Sequence, residues 1–336
     1  MTINERLTTF AGLPVVDFEP GEGGEPEGEG GEPVEGREGG GPADGPGQGD
    51  RAAVAWRVAE NDFDESEDQA SPKFLAKLEA FLAGPEASTA TALVIGAWGY
   101  AAMNPAPLNE ICAAASRLPA LRHLFIGDMT YEECEVSWIK LGDVTPVLAA
   151  YPSLHTLRVR GGEDLEFHPV DHAELRELAF ETGGLPTAIV EAVAESDLPR
   201  LRHLELWLGT DNYGGDVDAD DLAPILSGAR LPALTYLGLR DAEIADEVAA
   251  AVAGAPVVAR LTTLDLSLGA LSDVGATALL TGQPLTHLRR LDLHHHFLSE
   301  AMMARLRDEL TPAGVEVDLS DRQEEEEWGR FISVAE

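Results

Sequence analysis

The chain is short of positive charge. Its 336 residues carry 23 Lys+Arg against 60 Asp+Glu, a formal net charge of −37. A field of that sign repels nucleic-acid phosphates and anionic lipid surfaces, so neither nucleic acid nor a membrane is an expected partner. It favours basic protein partners or cations, and it also keeps a chain soluble. Cysteine is nearly absent: Cys112 and Cys134 make no disulfide framework and no CxxC pair for zinc or thiol redox work. No apolar run approaches the roughly 18 residues needed to span a bilayer. The opening "MTINERLTTFAGLPVVDF" lacks the basic and apolar halves of a secretory signal. A cytoplasmic protein is the expectation.

Residues 19–50 lack almost everything a core needs. They hold 13 Gly, 5 Pro and 10 acids, with Arg37 the one base and Val34 the one large aliphatic residue. Such a segment cannot bury enough apolar area to offset its ordering entropy, and a disordered loop is expected. No GK[ST] follows the glycines, so no phosphate-binding loop is encoded. Its flanks differ. Residues 13–18 and 53–59 are β-rich, with Val54, Trp56 and Val58 alternating at period two. Residues 71–84 read as a helix, with Ser71 at the N-cap, Pro72 in the first turn and Gly84 at the end. Residues 1–84 are therefore expected to form an N-terminal cap.

From about residue 90 the chain repeats itself. The phrases include "LRHLFI" (121–126), "LHTLRV" (154–159), "LRELAF" (175–180), "LRHLEL" (201–206), "LTYLGL" (234–239), "LTTLDL" (261–266) and "LRRLDL" (288–293). "ATALVI" (90–95) is a degenerate first copy and "GVEVDL" (314–319) a last one. Their middle positions, 93, 124, 157, 178, 204, 237, 264, 291 and 317, are spaced by 31, 33, 21, 26, 33, 27, 27 and 26. Helix-like stretches lie between them, at 109–118, 186–196, 246–254, 273–282 and 299–310. A strand and a helix about every 27 residues predict a parallel sheet with a helix crossing back each time. Neither half buries its apolar face alone, so neighbouring copies must stack.

These phrases resemble leucine-rich repeats, and "LTTLDLSLGALSDVGATALL" resembles the long repeat of ribonuclease inhibitor-like proteins. The wider texture ("LWLGTDNYGGD", "LDLHHHFLSEAMMARL", "VEVDLSD") resembles a family of actinobacterial cytoplasmic leucine-rich-repeat proteins. The resemblance implies an α/β right-handed solenoid over residues 85–320, with a curved parallel sheet on the concave face and helices on the convex face. Residues 321–336 are left as an acidic linker and C-terminal arm. The resemblance implies no particular activity. One feature departs from it: Ala242, Gly209, Gly269 and His296 stand where the repeat normally has Asn.

Three adjacent histidines, His294, His295 and His296, suggest metal until the register is considered. Leu291 and Leu293 point inward, so Asp292 and His294 face the open side, His296 turns inward and His295 lies in the bend. The rings diverge, whereas metal ligands must converge at about 2 Å. Asp265, Asp292 and His294 remain as a conceivable metal group on adjacent strands. "DVDADD" (216–221) mimics the start of an EF-hand loop, but Asp221 holds the glycine position and Ser227 that of the final Glu. No metal site and no cofactor are expected.

Two faces are expected to bind. The outward positions of the sheet carry Arg158, Arg160, Glu205, Trp207, Tyr236, Arg240, Asp265, Asp292 and His294. An exposed Trp207 there would be costly without use. The second face is a rim. Both 33-residue steps carry their extra residues just after the strand, at 127–142 and 209–221. These loops offer Tyr131, Glu132, Glu133, Trp138, Asp211, Asn212 and Tyr213, with the alternative that Tyr131 and Trp138 merely pin their own loop. The leading expectation is a non-catalytic scaffold for a protein or peptide with basic residues. The alternatives are an accessory or substrate-presenting subunit of a modifying enzyme system and, third, a metal-dependent enzyme.

Overall fold

The structure, a computed structural model, describes residues 3–20, 53–62, 69–327 and 329–335. Most of the Gly/Glu/Pro loop at 19–50 lies outside the described residues.

Twelve strands lie side by side in sequence order, in one long and mostly parallel sheet. They are β1 (Thr9–Phe10), β2 (Leu13–Asp17), β3 (Ala55–Glu60), β4 (Ala92–Trp98), β5 (His123–Ile126), β6 (Thr156–Arg160), β7 (Glu177–Glu181), β8 (His203–Gly209), β9 (Tyr236–Ala242), β10 (Thr263–Asp265), β11 (Arg290–Asp292) and β12 (Glu316–Asp318). Among these described strands the β1–β2 pairing is antiparallel and the others are parallel. The middle residue of each phrase pairs with the next one along: Leu93, Leu124, Leu157, Leu178, Leu204, Leu237, Leu264, Leu291 and Val317. The two strands flanking the Gly-rich segment join this sheet directly, β2 pairing β3 and β3 pairing β4.

One face of the sheet carries the alternate leucines and packs on the helices. Leu204 and Leu206 are fully buried and share a core with Ile189 and Val193 of α4 (Thr187–Glu195), one of the helices that carry the chain back between strands. Each such side chain contributes roughly 1.5–3 kcal/mol. The others, in order around it, are α1 (Pro72–Ala83), α2 (Leu108–Ala113), α3 (Thr145–Ala150), α5 (Ala223–Leu226), α6 (Ala245–Ala253), α7 (Asp273–Thr281) and α8 (Glu300–Leu310). In α1 the Ser71 hydroxyl accepts from Phe74 N at 3.1 Å, and Gly84 ends the helix. The sequence pattern does not reveal α3 and α5: at six and four residues they are too short to show a helical period.

The missing asparagines are replaced in two ways. On the turn side, the backbones touch directly: Thr210 N donates to Gly183 O, Glu243 N to Gly209 O and Ala270 N to Ala242 O. Gly209 is needed for this approach, since its φ is +69° and a Cβ would stand 1.9 Å from Gly183 O. His296, fully buried, bridges with its ring, Nδ1 accepting from Leu298 N at 3.1 Å and Nε2 meeting Leu319 O at 3.3 Å. On the helix side, the caps of successive helices are linked. Ser272 Oγ donates to Asp246 at 2.6 Å, and Ser299 Oγ to Asp273 at 2.6 Å.

Candidate binding cleft

The face turned away from the helices is not bare. At one end, Phe10 of the β1–β2 hairpin packs with Val94 and Phe125, supported by Leu7, Leu13 and Val15. At the strand ends, Ile3 and Val334 close over Val136, Trp207 and Leu268. Both arms of the chain thus lie on this face. This corrects the expectation of an exposed Trp207, which is 6% exposed. The sequence pattern did not signal it, because an arm lacks the repeat's period; the apolar Ile3, Ile332 and Val334 were the available hint.

Between the arms the strands present a charge-alternating network. Arg57 of β3 meets Asp128 at 3.0 Å and donates to Leu7 O at 2.9 Å. Arg160 of β6 lies 3.8 Å from Asp128 and donates to Glu181 of β7 at 2.8 Å. Glu181 also accepts from Arg158 at 2.6 Å, and Arg158 reaches Glu177 at 2.8 Å and Glu205 at 3.3 Å. Glu205 of β8 accepts from Trp207 Nε1 at 2.8 Å and from Arg240 at 2.7 Å. Arg240 of β9 continues to Ser267 Oγ at 2.9 Å and Asp265 at 3.4 Å. Tyr236 OH donates to Asp265 at 2.7 Å, and its ring stacks on His203 at 3.7 Å. Seven of the residues expected from the outward columns (Arg158, Arg160, Glu205, Trp207, Tyr236, Arg240 and Asp265) therefore do come together.

Burial works to raise the Glu205 pKa, but Arg158 and Arg240 outweigh it and hold the carboxyl well below its usual range. Glu181 is likewise lowered against its burial, by Arg160 and Arg158. The Tyr236 hydroxyl is raised by burial together with Glu205 and Asp265, and stays protonated. Two arginines also lie over aromatic rings, Arg160 at 5.1 Å from the Phe125 centroid and Arg240 at 5.3 Å from that of Trp207.

A cleft of about 370 Å³ opens above this network, between Leu7–Ala11 of the hairpin and the centre of the sheet. Phe10, Phe125 and Trp207 supply apolar walls, and Arg158, Arg160, Arg240, Glu177 and Glu181 line the rest. The volume falls in the range of small-ligand and side-chain sites.

Asp292 and His294 form a separate group nearer the last strand. His294 Nδ1 lies 2.7 Å from Asp292, and the three ligand-type residues that cluster are Asp292, His294 and Asp318, with Asp265 left in the network above. Among the described residues, Asp318 thus stands where the conceivable trio had Asp265. Arg290 bridges Asp292 at 2.8 Å and Asp318 at 2.7 Å, so a guanidinium already neutralises the carboxylates. The neighbouring rings diverge: His295 meets Asp321 and Phe331 O, and His296 points into the turn. In "DVDADD", Asp216 accepts from Thr187 N, and Asp218 accepts from the amides of Asp220 and Asp221. Asp218 serves its own turn, and Asp216 ties this loop to the start of α4.

The rim loops lie at the same edge and flank one turn. Ser137 of the first reaches the position of Gly183, while Tyr213 and Gly215 of the second press on Gly184. Tyr131 and Trp138 are not buried anchors of their loop: they are 41% and 53% exposed. Met129, Val136, Ile139 and Leu141 hold it instead. Glu132, Asp211 and Asn212 face solvent, Tyr213 is half-buried, and Glu133 is engaged by Arg6 of the N-terminal arm at 2.5 Å. Cys134 is buried, and burial beside Glu135 and Glu133 pushes its thiol up to about 12.

No described helix is long and apolar enough to cross a membrane. No family model and no curated protein matches the chain. A solved structure does: a crystal structure of a protein from Bacteroides fragilis shares 30% identity and a TM-score of 0.70, over 80% of this chain and 77% of that one. With that identity over most of both lengths, the chain belongs to the same family as the Bacteroides fragilis protein.

Proposed function

We propose that the chain is a non-catalytic scaffold of the leucine-rich-repeat type, a right-handed solenoid. In this reading its concave face takes a protein segment or peptide carrying Lys or Arg. The observation that carries this reading is the cleft itself, a 370 Å³ opening with aromatic walls and a floor of mutually paired charges. Buried ion pairs are weak sources of stability, since hydrophobic replacements often do as well. A chain that retains a whole ladder of them under an open cleft keeps an ordered array of donors and acceptors there. Glu177, at 30% side-chain exposure the most accessible acid of the lining, is the contact for an incoming cation. The net charge of −37 favours encounter of the chain as a whole with basic partners.

The test is a peptide phage library selected on the full chain, with affinities of the selected peptides measured by fluorescence anisotropy. Thr9 is exposed at the cleft mouth, so Thr9→Trp fills the opening while sparing the core. Selected peptides should be basic and bind more weakly as salt rises. They should lose at least tenfold in affinity to Thr9→Trp, whose melting temperature is unchanged. Equal binding to both proteins would count against the cleft as the site.

A further inference from the structure

The C-terminal arm is laid across the sheet as a ligand would be. Residues 330–335 run transverse to the strands, past the ends of β11, β10 and β9 and on to the loop after β5. Arg330 donates to Asp246 at 2.9 Å and to Ala270 O at 2.6 Å. Phe331 O meets His295 Nε2 at 3.3 Å. Ser333 N donates to Leu268 O at 2.7 Å, and Val334 N to Asp241 Oδ1 at 2.9 Å. Ala335 O accepts from Ser137 Oγ at 2.6 Å. The Val334 side chain fills a socket made by Val136, Trp207, Leu268 and Ile3. The contacts alternate between backbone polar groups and side-chain seats, which is how extended peptides are recognised along a sheet or groove.

We propose that this groove is a binding site for an extended peptide segment with Arg four residues ahead of Val or Ile, and that the chain's own residues 330–334 occupy it as a displaceable ligand. Three observations separate this from a permanent seal. Asp241 is fully buried beneath the arm, and its Oδ2 has no hydrogen-bond partner among the described residues. The arm therefore satisfies its seat incompletely, and a better-matched ligand can improve on it. Phe331, the second residue of the arm, remains 39% exposed, its ring edge-on to His295 and Phe297. The stretch before it, from Glu324 to Glu327, is exposed. The arm thus follows an exposed segment, and its release uncovers the small cluster of Val136, Trp207 and Leu268 while leaving the main core in place. The partner is a basic one by the same logic of charge, with Asp246 as the seat for its guanidinium. This site lies at the strand ends and stands whether or not the cleft beneath the hairpin binds anything.

Tethering gives the arm a local concentration of order millimolar, so a free peptide competes poorly until the arm is loosened. The probe is a fluorescein-labelled peptide, GRFISVA, added to the full-length protein and to its Val334→Glu variant, with binding read as anisotropy. The variant, native by circular dichroism, should bind the peptide at least tenfold more tightly than the unaltered protein. A peptide with the arginine replaced by Ala should bind weakly, and adding Asp241→Ala to the variant should abolish binding. No gain in the native-like variant, or a gain indifferent to Asp241→Ala, would overturn the proposal. Ser333→Pro removes the donor to Leu268 O without introducing charge, and is read the same way if Val334→Glu does not fold. Failure of both variants to fold would make the arm a fixed part of the structure and would also overturn it.

Discussion

Glu205→Ala is the perturbation that asks most of the charge network. Glu205 is 2% exposed and touches Arg158 at 3.3 Å, Arg240 at 2.7 Å, His203 at 3.3 Å and the Trp207 indole at 2.8 Å. Removing one partner of a buried pair typically costs about 3–5 kcal/mol, mainly because the other charge is left without compensation. Here the stranded groups keep other partners: Arg158 retains Glu177 and Glu181, and Arg240 retains Asp265. The indole has no second acceptor in the network, which adds about 1 kcal/mol or more. The loss should therefore lie near the low end, about 3 kcal/mol. Glu205→Gln keeps an acceptor for Trp207 and should lose less. Urea denaturation followed by tryptophan fluorescence and circular dichroism reads both variants, and coincident curves are needed before a free energy is extracted. A loss under about 0.5 kcal/mol for Glu205→Ala would show that water screens these charges, and the picture of a covered, ordered floor would fail.

Three further outcomes follow from the geometry. His296→Ala leaves the buried Leu298 N and Leu319 O without their bridge, and should cost about 1–3 kcal/mol in the same denaturation assay, with His296→Asn recovering part of it. Gly209→Ala combines a φ of +69° with a Cβ 1.9 Å from Gly183 O, so its loss should exceed about 1 kcal/mol, with hydrogen exchange quickening first at the Thr210 amide. The His294–Asp292 pair sets a pH window. Its hydrogen bond to Asp292 raises His294 above the ordinary 6.5, so that contribution is complete below 6.5 and is lost as pH rises through the raised value. Asp292 is lowered from 3.8 because His294 and Arg290 outweigh burial, so its contribution is complete above 3.8 and is lost as pH falls through the lowered value. His294→Asn should therefore lower the melting temperature more at pH 5.5 than at pH 8.5; an equal loss at both would remove the pair from the account.

The sheet was legible because its signal is repeated. Leucines at alternating sites, spaced by about 27 residues, can be buried only if neighbours stack in register, and Leu204, Leu237, Leu264 and Leu291 do. That register also placed Arg158, Glu205 and Asp265 on one face. It could not show what those side chains touch. Charges at outward positions read as solvated, and here they neutralise one another across strands. The covering arms were illegible for a related reason: Ile3 and Val334 belong to no repeat, and their seats, Trp207 and Leu268, come from distant turns. The trio at the last strands shifted from Asp265 to Asp318 because Asp265 has the stronger claim of Tyr236 and Arg240 on it. Short helices such as Ala223–Leu226 left no period to read.

Hydrogen exchange with a selected basic peptide bound to the full chain tests the central claim most directly. The account predicts slower exchange in Leu7–Ala11, Thr156–Arg160 and Glu177–Glu181, the segments around the cleft. Protection confined to the loops at 127–142 and 209–221, or to the helices on the opposite face, would contradict it.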